Sequence, residues 1–132
     1  MPERSGCVLA FDFGLKHIGV AVGQTVTRTA SPLTTLRAKN GKPEWQSIDK
    51  LVSEWRPFSL LVGLPLNMDA TESDMSERAR NFAAQLASRS ELPVDMVDER
   101  LTSHATRDVD NTHAAAAALI AESWLASSQN AG

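Results

Sequence analysis

The stretch "LAFDFGLKHIGVAVG", residues 9–23, decides the fold prediction, because two apolar runs flank a short turn. With their neighbouring residues, "CVLAFDFG" and "HIGVAVGQ" predict two buried strands joined by a tight hairpin at "LK". Asp12 lies at the end of the first run, between two phenylalanines. An unpaired carboxylate is costly in apolar surroundings, so Asp12 is a candidate functional residue as well as a candidate turn former.

Apolar patterns downstream predict the remaining elements. "TASPLTTLR" favours a third strand at an edge, because Pro32 cannot donate to a central ladder. "SLLVGLP" and "LPVDMV" are short apolar runs typical of buried strands. Three- and four-residue spacing predicts three helices: one from Pro43 to Pro57, one capped by Thr71, and one from about Asp110 to Ala126. The order β-β-β-α-β-α-β-α predicts one α/β domain over residues 1–132, a mixed five-stranded sheet with helices on both faces.

Composition excludes several classes of protein. The chain has 132 residues, a net charge of −3 and 42% hydrophobic residues, as in ordinary globular proteins. Its apolar runs are shorter than the roughly 18 residues of a membrane span, and the N-terminus lacks a signal-peptide pattern, so we expect a cytoplasmic protein. One cysteine, Cys7, excludes a multi-cysteine zinc site. The letters "DFG" do not indicate a kinase, since the Gly-rich loop and "HRD" motif are missing.

Acidic residues recur where predicted strands end. Asp12 ends the first strand, Asp98 and Glu99 end the last, Asp110 opens the final helix, and His113 follows one turn later. Ligands of open α/β sheets collect at the carboxyl ends of parallel strands. Carboxylates that meet there need a cation between them, and oxygen ligands with an imidazole suit Mg²⁺ or Mn²⁺. A pair of such ions supports phosphodiester cleavage by activated water.

The same residues have ordinary structural interpretations, which spacing alone leaves open. These are a turn-forming Asp12, ion pairs of Asp98 or Glu99 with Arg100, an N-cap at Asp110, a surface His113 and a hairpin Lys16.

Three motifs resolve part of this ambiguity. "FDFGLKHIGVAVGQ", "LLVGLPLNMDATE" and "VDERLTSHAT" stand in the order and at the spacing of one family, and with "AAAAALIAESWL" they cover nearly the whole chain. The chain thus resembles the YqgF family, also called RuvX, relatives of the RuvC Holliday-junction resolvases. The resemblance implies a ribonuclease H-like fold, a bacterial cytoplasmic location, and metal-dependent phosphodiester hydrolysis that matures the 5′ end of pre-16S ribosomal RNA.

The resemblance also assigns residues. Asp12 matches the first-strand catalytic aspartate, and Glu99 with Asp98 matches the acidic pair of the "DER" motif. For the third position, local context selects Asp110, whereas the register counted back from "LIAESWL" selects His113. We therefore expect Asp12, Glu99 and Asp110 to be catalytic, and Asp98 and His113 to support them as metal ligands for Mg²⁺ or Mn²⁺.

The expected partner is nucleic acid, held by Lys16 and Arg100 beside the metal site. Where His17 stands, the family pattern usually has a basic residue. The expected substrate is precursor rRNA, with ribosomal precursor particles as a setting and a monomer or weak homodimer as the assembly. Two alternatives stay open: cleavage of branched DNA, which needs a dimer with two sites, and a non-catalytic nucleic-acid-binding or transcription factor.

Overall fold

A computed structural model describes residues 6–99 and 113–131 of the protein, with side chains as far as residue 127. The elements in chain order are β1 (Cys7–Asp12), β2 (His17–Gln24), β3 (Thr29–Lys39), β4 (Lys42–Pro43), α1 (Trp45–Trp55), β5 (Ser59–Leu64), α2 (Asp74–Ser90), β6 (Val94–Asp98) and α3 (His113–Ala131). None of the helices in the described ranges has the length and apolar character needed to cross a bilayer.

The strands form one mixed sheet in the order β4-β3-β2-β1-β5-β6. β1 pairs antiparallel with β2 and parallel with β5, and β5 pairs parallel with β6. The predicted α/β architecture is confirmed, with its five strands present as β1, β2, β3, β5 and β6. The sixth strand, β4, pairs only Lys42 and Pro43 with the end of β3, and so short an element leaves no periodic signal in the sequence.

The two faces of the sheet carry different helices. Alternate residues of β1 point to opposite faces: Leu9 and Phe11 belong to the core formed with α1 and α2, and the Phe11 ring lies 5.9 Å from that of Phe82. Val8 and Ala10 belong to the second core, formed with α3. Asp12 has the parity of this second set, so strand alternation directs it to the α3 face, at the carboxyl end of β1.

α3 approaches the sheet closely through small residues. Its buried residues include four alanines, Ala114, Ala117, Ala118 and Ala121. Opposite the start of α3, β2 has a glycine: a Cβ on Gly19 would collide with the carbonyl of His113 and lie 2.7 Å from the Ala114 nitrogen. Small residues on both elements therefore fix the first turn of α3 against β2.

Two predicted helix starts were wrong by a few residues. Pro43 belongs to β4, and α1 begins at Trp45 after Glu44. Thr71 is not the N-cap of α2; Ser73 is, because its hydroxyl accepts the Ser76 N–H while the Ser76 hydroxyl accepts the Ser73 N–H at 2.9 Å. This reciprocal capping box satisfies two free backbone donors. The predicted start of the last helix at Asp110 lies outside the described residues.

Candidate active site at the carboxyl edge of the sheet

The end of β1 places Asp12 at the carboxyl edge of the sheet, as predicted. Asp12 is the last residue of β1 and is paired with Gly19 of β2. Since Gly19 has no side chain and α3 begins directly above it, the carboxylate lies between the sheet edge and the first turn of α3. The side chain is only partly accessible to solvent.

Glu99 reaches the same place from the other side of β5. It follows β6 directly, and β5 separates β6 from β1. A Cβ on Gly63 of β5 would collide with the Glu99 carboxylate and with Ile120 Cδ1, and would lie 2.9 Å from Glu99 Cγ. Gly63 comes one residue beyond the paired Phe11 and Val62, beside Asp12. A bare backbone at Gly63 therefore leaves the space in which Glu99 extends toward Asp12.

The two carboxyl groups are hydrogen-bonded to each other, with Glu99 as the protonated donor and Asp12 as the acceptor. Burial is the main cause that raises the pKa of Glu99 to about 8, and the negative charge and hydrogen bond of Asp12 and the charge of Asp98 add to it. Burial also raises the pKa of Asp12, although the Glu99 hydrogen bond and the charge of His113 oppose that shift. Two half-buried carboxylates repel each other, so the pair favours a state in which one of the two groups is protonated.

His113 is the first residue of α3, and its charge lowers the pKa of Asp12, against the effect of burial. Its ring stacks on that of His17, the first residue of β2, with centroids 4.9 Å apart and planes 21° from parallel. Both histidines are exposed. The structure thus brings Asp12, Glu99 and His113 to one edge of the sheet.

The structure does not place the other predicted site residues beside the Asp12–Glu99 pair. Alternation along β6 places Val97 in the α3 core and directs Asp98 to the opposite face, so Asp98 acts on Glu99 through its charge. Lys16 is exposed in the turn between β1 and β2. Arg100 and Asp110 lie outside the described residues. The choice between Asp110 and His113 as the third ligand therefore stays a prediction.

The donor set fits a divalent cation in part. Two half-buried carboxyl groups with raised pKa values are oxygen ligands that a cation would bind in place of a proton. Within residues 6–99 and 113–131, no three His, Cys, Asp or Glu side chains converge as a metal site. Asp12 and Glu99 therefore fit two positions of such a site.

Two features of the site were absent from the sequence predictions. One is the contact of His17 with His113, which joins residues far apart in the chain and has no local signal. The other is the space over Gly63, for which a signal does exist. A lone glycine inside the apolar run "LLVGL" is typical of a close approach to the backbone.

Comparisons with known proteins identify the family. A family model described as "RuvX: Holliday junction resolvase" matches residues 6–127. Two relatives carry the name "Putative pre-16S rRNA nuclease". The protein of Pectobacterium carotovorum subsp. carotovorum (strain PC1) is 46% identical, over 92% of this chain and 96% of its own. The protein of Azotobacter vinelandii (strain DJ / ATCC BAA-1303) is 48% identical, over 90% of this chain and 92% of its own.

A solved structure confirms the predicted ribonuclease H-like fold. It is T. thermophilus RuvC in complex with Holliday junction substrate, with a TM-score of 0.63 and 15% identity, covering 95% of this chain and 96% of the RuvC chain. At that identity the likeness concerns the fold alone, whereas the family match and the curated relatives concern the sequence. On these two grounds the chain belongs to the RuvX family.

Proposed function

We propose that this protein is a metal-dependent nuclease that hydrolyses phosphodiester bonds of precursor ribosomal RNA, at the 5′ end of pre-16S rRNA, in the cytoplasm. The observation that carries the proposal is the half-buried, hydrogen-bonded pair of Asp12 and Glu99 at the carboxyl edge of the sheet. The family and the name of the curated relatives support the substrate class.

Within this proposal, Asp12 and Glu99 would hold a pair of Mg²⁺ or Mn²⁺ ions, and residues near the start of the last helix would supply the remaining ligands. Such ions supply charge neutralisation and polarisation of the scissile phosphate. To serve as a ligand beside Asp12, Glu99 would first lose its proton to solvent. Asp110 and His113 are the two candidates for the remaining position, and the charge of His113 already acts on Asp12.

A second candidate function is cleavage of branched DNA. The description of the family model and the fold shared with RuvC favour it. It requires two copies of the chain, because resolution of a four-way junction needs two cuts. Precursor rRNA remains the preferred substrate, because relatives that are 46% and 48% identical over most of the chain are named as putative pre-16S rRNA nucleases.

The test is a cleavage assay with Mn²⁺ on precursor rRNA and on a four-way DNA junction. We expect the wild-type protein to cleave the RNA and Asp12→Asn to lose about 100-fold or more of the rate, because a lost ligand removes several kcal/mol of transition-state stabilisation. The matched control is Asp74→Asn, which removes the same charge from an exposed position in the first turn of α2.

Each outcome discriminates between the candidates. Equal cleavage by wild type and Asp12→Asn would contradict the carboxylate mechanism. Cleavage of the junction alone would establish the resolvase activity instead. Tight RNA binding without cleavage of either substrate would identify a non-catalytic binding factor.

A further inference from the structure

Three cations share a face of the hairpin formed by β3 and β4. Arg37 is paired with His17 of β2, and Lys39 is paired with Lys42. Directly opposed residues of antiparallel strands project to the same face, and alternation gives Lys39 the same face as Arg37. Since the His17 ring stacks on His113 of α3, this is the α3 face. We call Arg37, Lys39 and Lys42 the basic strip.

The basic strip lies at the same edge of the sheet as the carboxyl pair. β1 and β3 both run antiparallel to β2, so their carboxyl ends meet at one edge. Backbone hydrogen bonds fasten the β3–β4 hairpin to the β1–β2 turn: the Ala38 N–H donates to the Lys16 carbonyl at 2.8 Å, and the Gly41 N–H donates to the Leu15 carbonyl at 2.9 Å. The hairpin is therefore held beside the turn that follows Asp12.

The charges of the basic strip are available to a ligand. All three side chains are exposed, and none forms an ion pair with another residue of the described ranges. By contrast, Arg80 is paired with Glu72 and Arg89 with Asp49, each at 2.6 Å. In a chain of net charge −3, unpaired cations gathered on one face produce a local field that attracts polyanions.

The spacing suits a nucleic-acid strand that leads into the site. β3 lies two strand positions from β1, about 10 Å, and alternate residues along β3 are about 7 Å apart. That interval resembles the separation of neighbouring phosphates in an extended strand. Arg37 therefore lies about one or two phosphates from a bond placed at Asp12, and Lys39 and Lys42 lie farther out along the same path.

We propose that the basic strip binds the phosphate backbone of single-stranded RNA that flanks the cleaved bond. The inference deepens the proposed function and rests on it. Cations on phosphates position the strand without reading bases, so the strip supplies affinity and register while sequence choice lies elsewhere. Lys16 is an exposed cation in the neighbouring turn, whose backbone is hydrogen-bonded to the hairpin.

The experiment measures binding rather than cleavage. A fluorescein-labelled single-stranded RNA is titrated with full-length protein by fluorescence anisotropy at several salt concentrations. Every protein carries Asp12→Asn, so that the probe stays intact. The strip variant has three neutralised cations, Arg37→Gln, Lys39→Gln and Lys42→Gln. The control variant has the same change of net charge at three exposed cations elsewhere, Arg28→Gln, Lys50→Gln and Arg78→Gln.

Each phosphate contact on a single strand contributes about 0.7 to the slope of log affinity against log salt. We expect the strip variant to lose about two units of that slope and about 100-fold in affinity at 0.1 M salt, while the control keeps the parental slope. Equal losses in the two variants would show a net-charge effect and overturn the inference. An unchanged slope in the strip variant would overturn it as well.

The result is separable from that of the cleavage assay. A strip-dependent slope in a protein that cleaves nothing would leave the binding surface established and the nuclease function refuted. Cleavage by the wild type, together with normal RNA binding by the strip variant, would support the nuclease function and refute the role of the basic strip. A thermal unfolding curve for each variant shows that any loss of binding occurs in folded protein.

Discussion

Glu99 donates a hydrogen bond to Asp12 across β5, the strand that separates β1 from β6. The bond forms because β5 has Gly63 at the crossing point, where a Cβ would collide with the Glu99 carboxylate. Three strands thus build the pair: two supply the carboxyl groups and the third supplies the space between them.

Gly63→Ala tests this arrangement. The new methyl group would collide with Glu99 and with Ile120 Cδ1, so we expect about 1–3 kcal/mol of destabilisation from overpacking. We also expect a loss of cleavage, because the Glu99 carboxylate must move away from Asp12. Urea unfolding and the RNA cleavage rate measure the two effects.

A double variant separates stability from activity. Ile120→Val removes the Cδ1 atom that the new methyl group meets, so in Gly63→Ala it should recover part of the stability. It leaves the clash with Glu99 in place, and cleavage should stay low. Recovery of cleavage together with stability would mean that Gly63 serves only core packing.

The carboxyl pair makes stability depend on pH when divalent ions are absent. The pKa of Glu99 is about 8 in the folded protein, against an ordinary value of 4.5. Between these values the folded state binds more protons than the unfolded state, so the free energy of unfolding falls as pH rises. The contribution of Glu99 is complete below pH 4.5 and is lost by about pH 8. The raised pKa of Asp12 acts in the same direction.

Unfolding in EDTA between pH 5 and pH 8.5 measures this dependence. Glu99→Gln should flatten the fall, whereas Glu77→Gln, an exposed acid of α2, should leave it unchanged. Mn²⁺ added at pH 8 should raise the melting temperature of the wild type, because a ligand that binds only the folded state stabilises it. A fall of equal steepness in Glu99→Gln would refute the assignment.

Two glycines of β2 offer a matched pair of substitutions. Gly19→Ala would drive a methyl group into the backbone at His113 and Ala114, which cannot yield without moving α3. Gly23→Ala would meet only side chains, at 3.1 Å for Val8. We expect about 3 kcal/mol or more of destabilisation for Gly19→Ala and about 1 kcal/mol for Gly23→Ala. Chemical denaturation measures both, and equal losses would contradict the close contact of α3 with Gly19.

The stacked rings of His17 and His113 predict a positioning role for His17. Aromatic pairs contribute about 0.5–1.5 kcal/mol, so His17→Ala should lower kcat about twofold to tenfold by freeing the His113 ring. His17→Phe keeps a stacking partner and should retain most of the wild-type kcat. An equal loss in both variants would assign the effect to the His17 imidazole itself rather than to stacking.

The sequence predicted the elements well where the pattern is periodic. The β1–β2 hairpin, the position of Pro32 in the part of β3 that does not pair with β4, and the end of α1 at Trp55 follow from apolar spacing and proline chemistry. The cap of α2 was misplaced at Thr71, because serines at positions 73 and 76 complete a capping box that the usual Glu or Gln pattern does not describe. β4 was not predicted, because its two residues are too few to show an alternating apolar pattern.

The sequence by itself determined the ribonuclease H-like fold, the family, and Asp12 and Glu99 as the acids at strand ends. Tertiary structure alone decided which of these acids meet. The apolar pattern places both Asp98 and Glu99 at the end of one strand, but strand alternation directs Asp98 to the opposite face while Glu99 extends over Gly63 to Asp12. Likewise, the ring of His113 stacks on that of His17 only because α3 packs closely against Gly19. The physical reason is that local spacing specifies each element, whereas contacts between distant residues depend on how the sheet and α3 pack.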